Sequence, residues 1–350
     1  MYNLSVQSIK PGMVLYDDIF SYSGKYILKA NTTLTYDKIH LLIQNGINEV
    51  SLAEPDEVNM SHYNYLNKNP HFKVFCEVYN QCLIKFEKIM HCLDTGLDLN
   101  ISRLIEIRNE IFENVNSGEQ LIDYLYNLMS SEIQITYSHC FNCGLLCYIF
   151  AGWCGFSEEE LDTITICGFL FDIGKTKVDD NLIWKPDKLT PEEFIQIQHH
   201  IHLGYDLIKN RKLPPHVVTV MIMHHERCDG SGYPAGIKED RIDPYALIAA
   251  ISDTYEAMTH PRAQRTALTP FQAIKVFESQ GLSKYGEHNA RIILKKIADM
   301  YVDRRVCLNT QAVARIADIN DNALSKPTVY FNNILYDMRN YPDWEIIRLE

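Results

Sequence analysis

The sequence predicts a mainly α protein: a long helical region preceded by a small α+β module and followed by a short β appendage. Three observations predict it. Apolar residues recur at helical spacing over most of 71–300. Residues 3–52 instead alternate short β-type runs with turn signals, and β-type runs return after residue 300.

In the first module, Val14-Leu15-Tyr16 and Tyr26-Ile27-Leu28 are expected to pair across Ser21–Gly24, where Ser23-Gly24 suits a hairpin turn. Thr35-Tyr36-Asp37 opens a helix with Leu41, Leu42 and Ile43 on its apolar side, and Gly46 closes it. Val50-Ser51-Leu52 reads as the last strand. Residues 55–71 are polar and irregular, as in a linker. From His71 to about Leu93, the positions Phe75, Val78, Tyr79, Leu83, Phe86 and Ile89 mark a helix, and Asn100-Ile101 to Val115 a second. This connector also offers a surface for self-association.

Between 117 and about 300 the pattern is almost wholly helical, broken at Gly155–Ser157, Lys185–Thr190, Lys212–Pro215 and Asp229–Pro244. Ser157 followed by Glu160 is a capping-box signal for the helix that ends at Phe171-Asp172-Ile173-Gly174-Lys175. Val306–Leu308, Val313–Ile316 and Thr328–Phe331 form the β appendage. The expected division is therefore 1–54 for the α+β module, 55–116 for linker and connector, 117–300 for the helical domain and 301–350 for the extension.

Composition narrows the function. The 350 residues are 46% apolar, enough for well-formed cores. No run is long and apolar enough to span a bilayer; Cys143 to Phe156 is too short and reads as a buried helix. The opening MYNLSVQSIKPGM has no basic region followed by an apolar stretch, so a cytoplasmic protein is expected. A net charge of −12 argues against broad DNA or RNA binding but leaves room for a small anionic nucleotide in a locally positive pocket. The ten cysteines lack a secreted framework, and Cys140, Cys143 and Cys147 share one helical face, as buried core thiols do.

The most informative stretch is His224-His225-Glu226-Arg227-Cys228-Asp229-Gly230-Ser231-Gly232-Tyr233-Pro234, a histidine pair followed by a glycine-rich turn. Adjacent histidines diverge on a regular backbone, so both can be ligands only if they surround a turn or serve neighbouring sites. Upstream lie Tyr137-Ser138-His139, then FDIGK at 171–175, then Lys185-Pro186, Leu189-Thr190 and Glu192-Glu193. His200 with Gly204 follows, and after the histidine pair comes Asp253-Thr254-Tyr255-Glu256-Ala257-Met258-Thr259, leading to Arg262. This ordered set over about 117–280 resembles the HD-GYP family of metal-dependent phosphohydrolases, which hydrolyse the bacterial messenger cyclic di-GMP. One element departs: where the family has the His of its HD pair, this chain has Phe171.

The resemblance implies two divalent transition ions, Fe, Mn or Zn, bridged by Asp172. His139 and Asp253 would hold one, weakened because Phe171 has no donor atom; His200, His224 and His225 would complete the other. A third ion is not expected, since Ile135 stands where some members carry a glutamate. Such a pair would activate water and neutralise charge at a phosphodiester. Asp172 and Lys175 are the implied catalytic residues, and Lys175, Tyr233, Arg262 and Arg265 the implied contacts to substrate. Each histidine taken singly is more often a surface or hydrogen-bonded residue, as His199 and His202 are expected to be. Lys175 and Arg227 could be solvated charges and Tyr233 a turn residue. Two functions stay open: a phosphodiesterase linearising or fully hydrolysing cyclic di-GMP, and a degenerate domain that binds nucleotide or a signalling partner without turnover. Hydrolysis of another phosphoester is a third, more distant one, and a homodimer is compatible with each.

Charge-assisted phosphate contacts are worth ~1.5–3 kcal/mol, so Arg262→Ala is expected to weaken cyclic di-GMP binding about tenfold or more. Calorimetric titration checks this, and an unchanged affinity would place the ligand elsewhere.

Overall fold

The computed structural model describes the chain except for residues 1, 10–12, 22–23, 31, 33, 53–65, 96, 129–134, 184, 186–187 and 261–266. It divides into two compact units: Met1–Asn69 together with Tyr301–Glu350, and Pro70–Met300. The stretches read from sequence as an N-terminal module and a C-terminal extension thus pack into one body.

In that first unit, strand Tyr2–Ser5 pairs antiparallel with Glu49–Leu52, and Ile19–Phe20 with Tyr26–Leu28. The hairpin strand is Ile19–Phe20 rather than the expected Val14–Tyr16. Val14–Tyr16 is instead committed elsewhere, Leu15 N–H donating to Thr32 and Tyr16 N–H to Ser51. Thr35 caps the helix Tyr36–Gln44 as expected. Of Leu41, Leu42 and Ile43 only Leu42 is buried, while Leu41 and Ile43 are exposed. Consecutive helical side chains diverge too far for all three to share one face. Leu42 joins Val6, Leu15, Leu28, Leu34, Val50 and Leu52 in the small core. The C-terminal part is a five-stranded antiparallel sheet in the order Ile334–Asp337, Thr328–Phe331, Val313–Asp318, Arg305–Leu308, Ile346–Leu349. Its first and last members in that order have no counterpart in the sequence reading.

The second unit is helical. Pro70–Met90 and Ile101–Phe112 form the connector, and Gly118–Asn127 follows. Helix Ile135–Trp153 is buried on nearly every side, Cys140, Cys143 and Cys147 included. It lies against helix Glu158–Leu170 at very close range. A Cβ on Gly168 would stand 2.6 Å from Gly144 Cα, so both positions need the smallest residue for the helices to meet. The rings of Phe86, Phe141 and Phe169 fill the space beside this contact. Glu160 Oε2 accepts from Ser157 N–H at 2.8 Å at the start of the second helix, as the sequence signal required.

Leu170 ends that helix, and a short 3₁₀ turn, Ile173–Lys177, carries the chain past Asp172. Helix His200–Ile208 is seated on this turn. A Cβ on Gly174 would overlap the carbonyl oxygen of His200 and lie 2.5 Å from Gly204 N. Helices Pro191–Gln198, Pro215–Met223, Pro244–Thr259, Pro270–Gln280 and Glu287–Asp299 also belong to the unit. Among the described residues no helix is long and apolar enough to cross a membrane.

Gly174→Ala is expected to destabilise the protein by at least ~1–3 kcal/mol, because backbone rather than a movable side chain blocks the added methyl. Urea denaturation checks this; an unchanged midpoint would mean that the turn and helix yield freely.

Candidate metal centre

The close helix pair sets the geometry. Packing at Gly144 and Gly168 brings His139, near the start of one helix, beside Asp172, just past the end of the other. The Gly174 turn adds His200. His224 is the C-cap residue of Pro215–Met223, and His225 follows in the turn, which resolves the problem of adjacent histidines. With the helix ended, their rings lie 4.0 Å apart and tilted by 44°. Asp253 comes from the middle of Pro244–Thr259.

These side chains form two donor groups that share Asp172. One contains Asp172, His200, His224 and His225; the other contains His139, Asp172 and Asp253. Asp172 Oδ1 lies 3.2 Å from His200 Nε2 and 3.4 Å from His224 Nε2. Its Oδ2 is 3.0 Å from His139 Nε2, which is also 3.2 Å from Asp253 Oδ1. Lys175 Nζ pairs with the same Oδ2. Burial alone would raise the Asp172 pKa, but the Lys175 charge and the His139 imidazole outweigh it and hold the carboxyl well below its usual range. Burial acts likewise on Asp253, where His139 and Lys175 again win and keep it ionised. Burial lowers His200 and His225, favouring the neutral imidazoles that metals require.

Hydrogen bonds fix the tautomers. His200 Nδ1 donates to Ile197 O at 2.6 Å and His224 Nδ1 to Met221 O at 3.0 Å, leaving each Nε2 as a lone pair directed inward. Among the described residues, Asp172 Oδ1 and the Nε2 atoms of His200, His224 and His225 are buried without a hydrogen-bond partner. Such a set is costly unless a cation meets it. The residues of the first group therefore fit a divalent ion. The second offers three donors, and Phe171 beside it offers none. Phe171 is fully buried, its ring 4.7 Å from that of His224 and 6.3 Å from that of His139.

A relay missed at the sequence level orients His139. Its Nδ1 lies 2.5 Å from Glu256 Oε2, Glu256 Oε1 accepts from Asn142 at 3.0 Å, and Asn142 Oδ1 accepts from the Tyr79 hydroxyl at 2.7 Å. The signal was present in spacing: Asn142 follows His139, and Glu256 follows Asp253, by three residues on a helix. Cys143 also lies against the His139 ring, and burial drives its thiol pKa up.

The turn after the histidine pair is held by Glu226, which is buried and accepts from Ala235 N–H at 2.7 Å and Ile237 N–H at 3.1 Å. Gly232 packs 2.5 Å (measured to a hypothetical Cβ) from Glu226 Cα, too close for any side chain. Tyr233 stacks on His225, with ring centroids 4.5 Å apart. Arg227 is no solvated charge; it donates to the carbonyls of His224 and Glu226 and lies over the Tyr285 ring. His199 and His202 are exposed, as expected. Arg262 and Arg265 lie outside the described residues.

Comparison with known proteins agrees with this architecture. Residues 124–288, a little under half of the chain, match the family described as HD domain. A Thermotoga maritima protein named cyclic di-GMP phosphodiesterase is 31% identical over 187 residues, 52% of this chain and 51% of that protein. The Vibrio cholerae 3'3'-cGAMP-specific phosphodiesterase 2 is 30% identical over 170 residues, 46% of this chain and 33% of its own length. The chain thus spans about half or less of the length of these relatives. A solved HDG"Y"P protein from Bdellovibrio bacteriovorus superposes with a TM-score of 0.51 at 14% identity, covering 85% of this chain and 99% of that one, a likeness of fold.

Glu226→Ala would strip two backbone N–H groups of their acceptor. Each unsatisfied group costs ~1–3 kcal/mol, so a loss of about 2 kcal/mol or more is expected, with faster proteolysis in the 229–243 loop. Denaturation and limited proteolysis measure both, and a variant unchanged in both would remove Glu226 as the clamp.

Proposed function

We propose that the chain is a metal-dependent phosphodiesterase that hydrolyses cyclic di-GMP, to the linear dinucleotide or to GMP. The observation that carries this is the set of buried, unpartnered donors on Asp172, His200, His224 and His225. Nitrogen and oxygen ligation of this kind suits Fe, Mn or Zn. An ion held there would polarise a phosphoryl oxygen and supply a nucleophilic water near neutral pH. The names of the matched relatives support a cyclic dinucleotide as substrate, and 3'3'-cGAMP is the natural competitor to test beside cyclic di-GMP.

The chain's own residues have separable tasks. Asp172 presents one oxygen to each donor group. Lys175 is kept protonated: burial opposes its charge, but Asp172 and Asp253 more than offset this and raise its pKa. It therefore brings a fixed positive charge to the edge of the site, where a phosphate can share it with Asp172. Tyr233, seated on His225, sits at the rim and offers a ring to a base. Arg262 and Arg265 add further positive charge for the phosphates in this reading.

A second reading is favoured by Phe171, whose apolar ring stands among the donors. In it, the domain binds nucleotide or a signalling partner without turnover.

Labelled cyclic di-GMP and 3'3'-cGAMP, incubated with the Mn(II)-loaded chain, decide between them. Turnover should appear, and Asp172→Asn and His224→Ala should each lower it by about 100-fold or more, as when one member of a catalytic unit is removed. Nucleotide binding without hydrolysis would replace the enzyme reading by the receptor reading. Neither binding nor hydrolysis would remove both.

A further inference from the structure

The two donor groups that share Asp172 stand in different states of hydrogen bonding. In the first, Asp172 Oδ1 and the Nε2 atoms of His200, His224 and His225 meet no hydrogen-bond partner among the described residues. The protons of His200 and His224 sit on Nδ1, against the backbone carbonyls of Ile197 and Met221. Their Nε2 lone pairs therefore face a carboxylate oxygen at 3.2 and 3.4 Å, an arrangement that repels itself unless positive charge enters.

The second group shows the opposite. His139 Nε2 reaches both Asp172 Oδ2 and Asp253 Oδ1, at 3.0 and 3.2 Å, and its Nδ1 is taken by Glu256. Lys175 occupies the same Asp172 oxygen. Buried Phe171 adds only carbon beside the two rings.

We propose that this chain is a single-ion centre: one divalent transition ion held by Asp172, His200, His224 and His225, with the His139–Asp172–Asp253 group closed on itself. The inference rests on the metal-dependent reading above and deepens it. An ion entering the first group meets four donors and breaks no hydrogen bond. An ion entering the second must break the hydrogen bond between His139 and Asp172 and dislodge Lys175 from Asp172. It would gain three donors, one of them already shared. Lys175 then supplies, on the Oδ2 side, positive charge that a second ion would otherwise bring.

The test counts ions on the full chain, stripped with chelator, reloaded with excess Mn(II) and freed of unbound metal. Elemental analysis should find ~one Mn per chain, and electron paramagnetic resonance the signal of isolated ions rather than of an exchange-coupled pair. His224→Ala should lose the ion. Asp253→Asn, nearly isosteric, should keep it in full, with folding verified by circular dichroism. Phe171→His should raise the count to about two, because the ring position regains a donor. Two ions or a coupled signal in the natural chain would overturn the proposal and leave the phosphodiesterase reading standing. Loss of the ion in folded Asp253→Asn would also overturn it. No bound ion at all would overturn both, whereas failure of turnover with one ion bound would touch only the activity.

Discussion

A fully buried carboxylate, Asp172, has to be compensated from every side, and the helical unit is arranged around that requirement. An isolated charge in such a place is prohibitive, and a group so buried ordinarily gives up its charge. Here Lys175 and His139 reach one oxygen, while the other faces His200 and His224 without a donor and calls for a cation. The residues that satisfy Asp172 come from separate helices, so the carboxylate ties together segments that are distant in sequence. Its two oxygens also meet different surroundings, one already provided with donors and one not. That inequality gives a single side chain two roles.

Close approach of backbone is what makes this convergence possible. Gly144 against Gly168 lets two buried helices touch, and Gly174 lets the His200–Ile208 helix sit on the turn after Asp172. A methyl group at these places would have to push apart the segments that carry the histidines. The turn beyond His225 follows similar logic. Glu226 points into it and gathers two backbone N–H groups, so the loop is tied back from within rather than by its own side chains. Tyr233 is thereby held against His225.

The His139 side of the site is more heavily supported than coordination alone demands. Tyr79, Asn142 and Glu256 form a line of hydrogen bonds that ends on the imidazole, all of it buried. In a low-dielectric interior a fully paired network of this sort is rigid, and leaving any member unpaired is expensive. This rigidity explains how the group stays ordered beside Phe171, which packs well but donates nothing.

The mainly α class was legible in the sequence because helical periodicity and capping are local: Ser157 with Glu160, Thr35 and Asn100 each mark a helix start within a few residues. The residues His139, Asp172, Lys175, His200, His224, His225 and Asp253 could be named in advance only because their order resembles that of the HD-GYP family; taken singly, none of them announces a ligand. Their convergence could not, because it depends on glycine contacts between segments far apart in the chain. Nor could Glu256 be distinguished from any other helical glutamate until His139 was placed beside it. The two chain ends gave no local sign that they pack as one unit, and Val14–Tyr16 had the composition of the hairpin strand it does not form. Local preference fixes where helices begin. Which oxygen of Asp172 is satisfied, and which is left facing three bare imidazole nitrogens, is decided only when the helices pack, because hydrogen-bond partners are set by distance in space and not by distance along the chain.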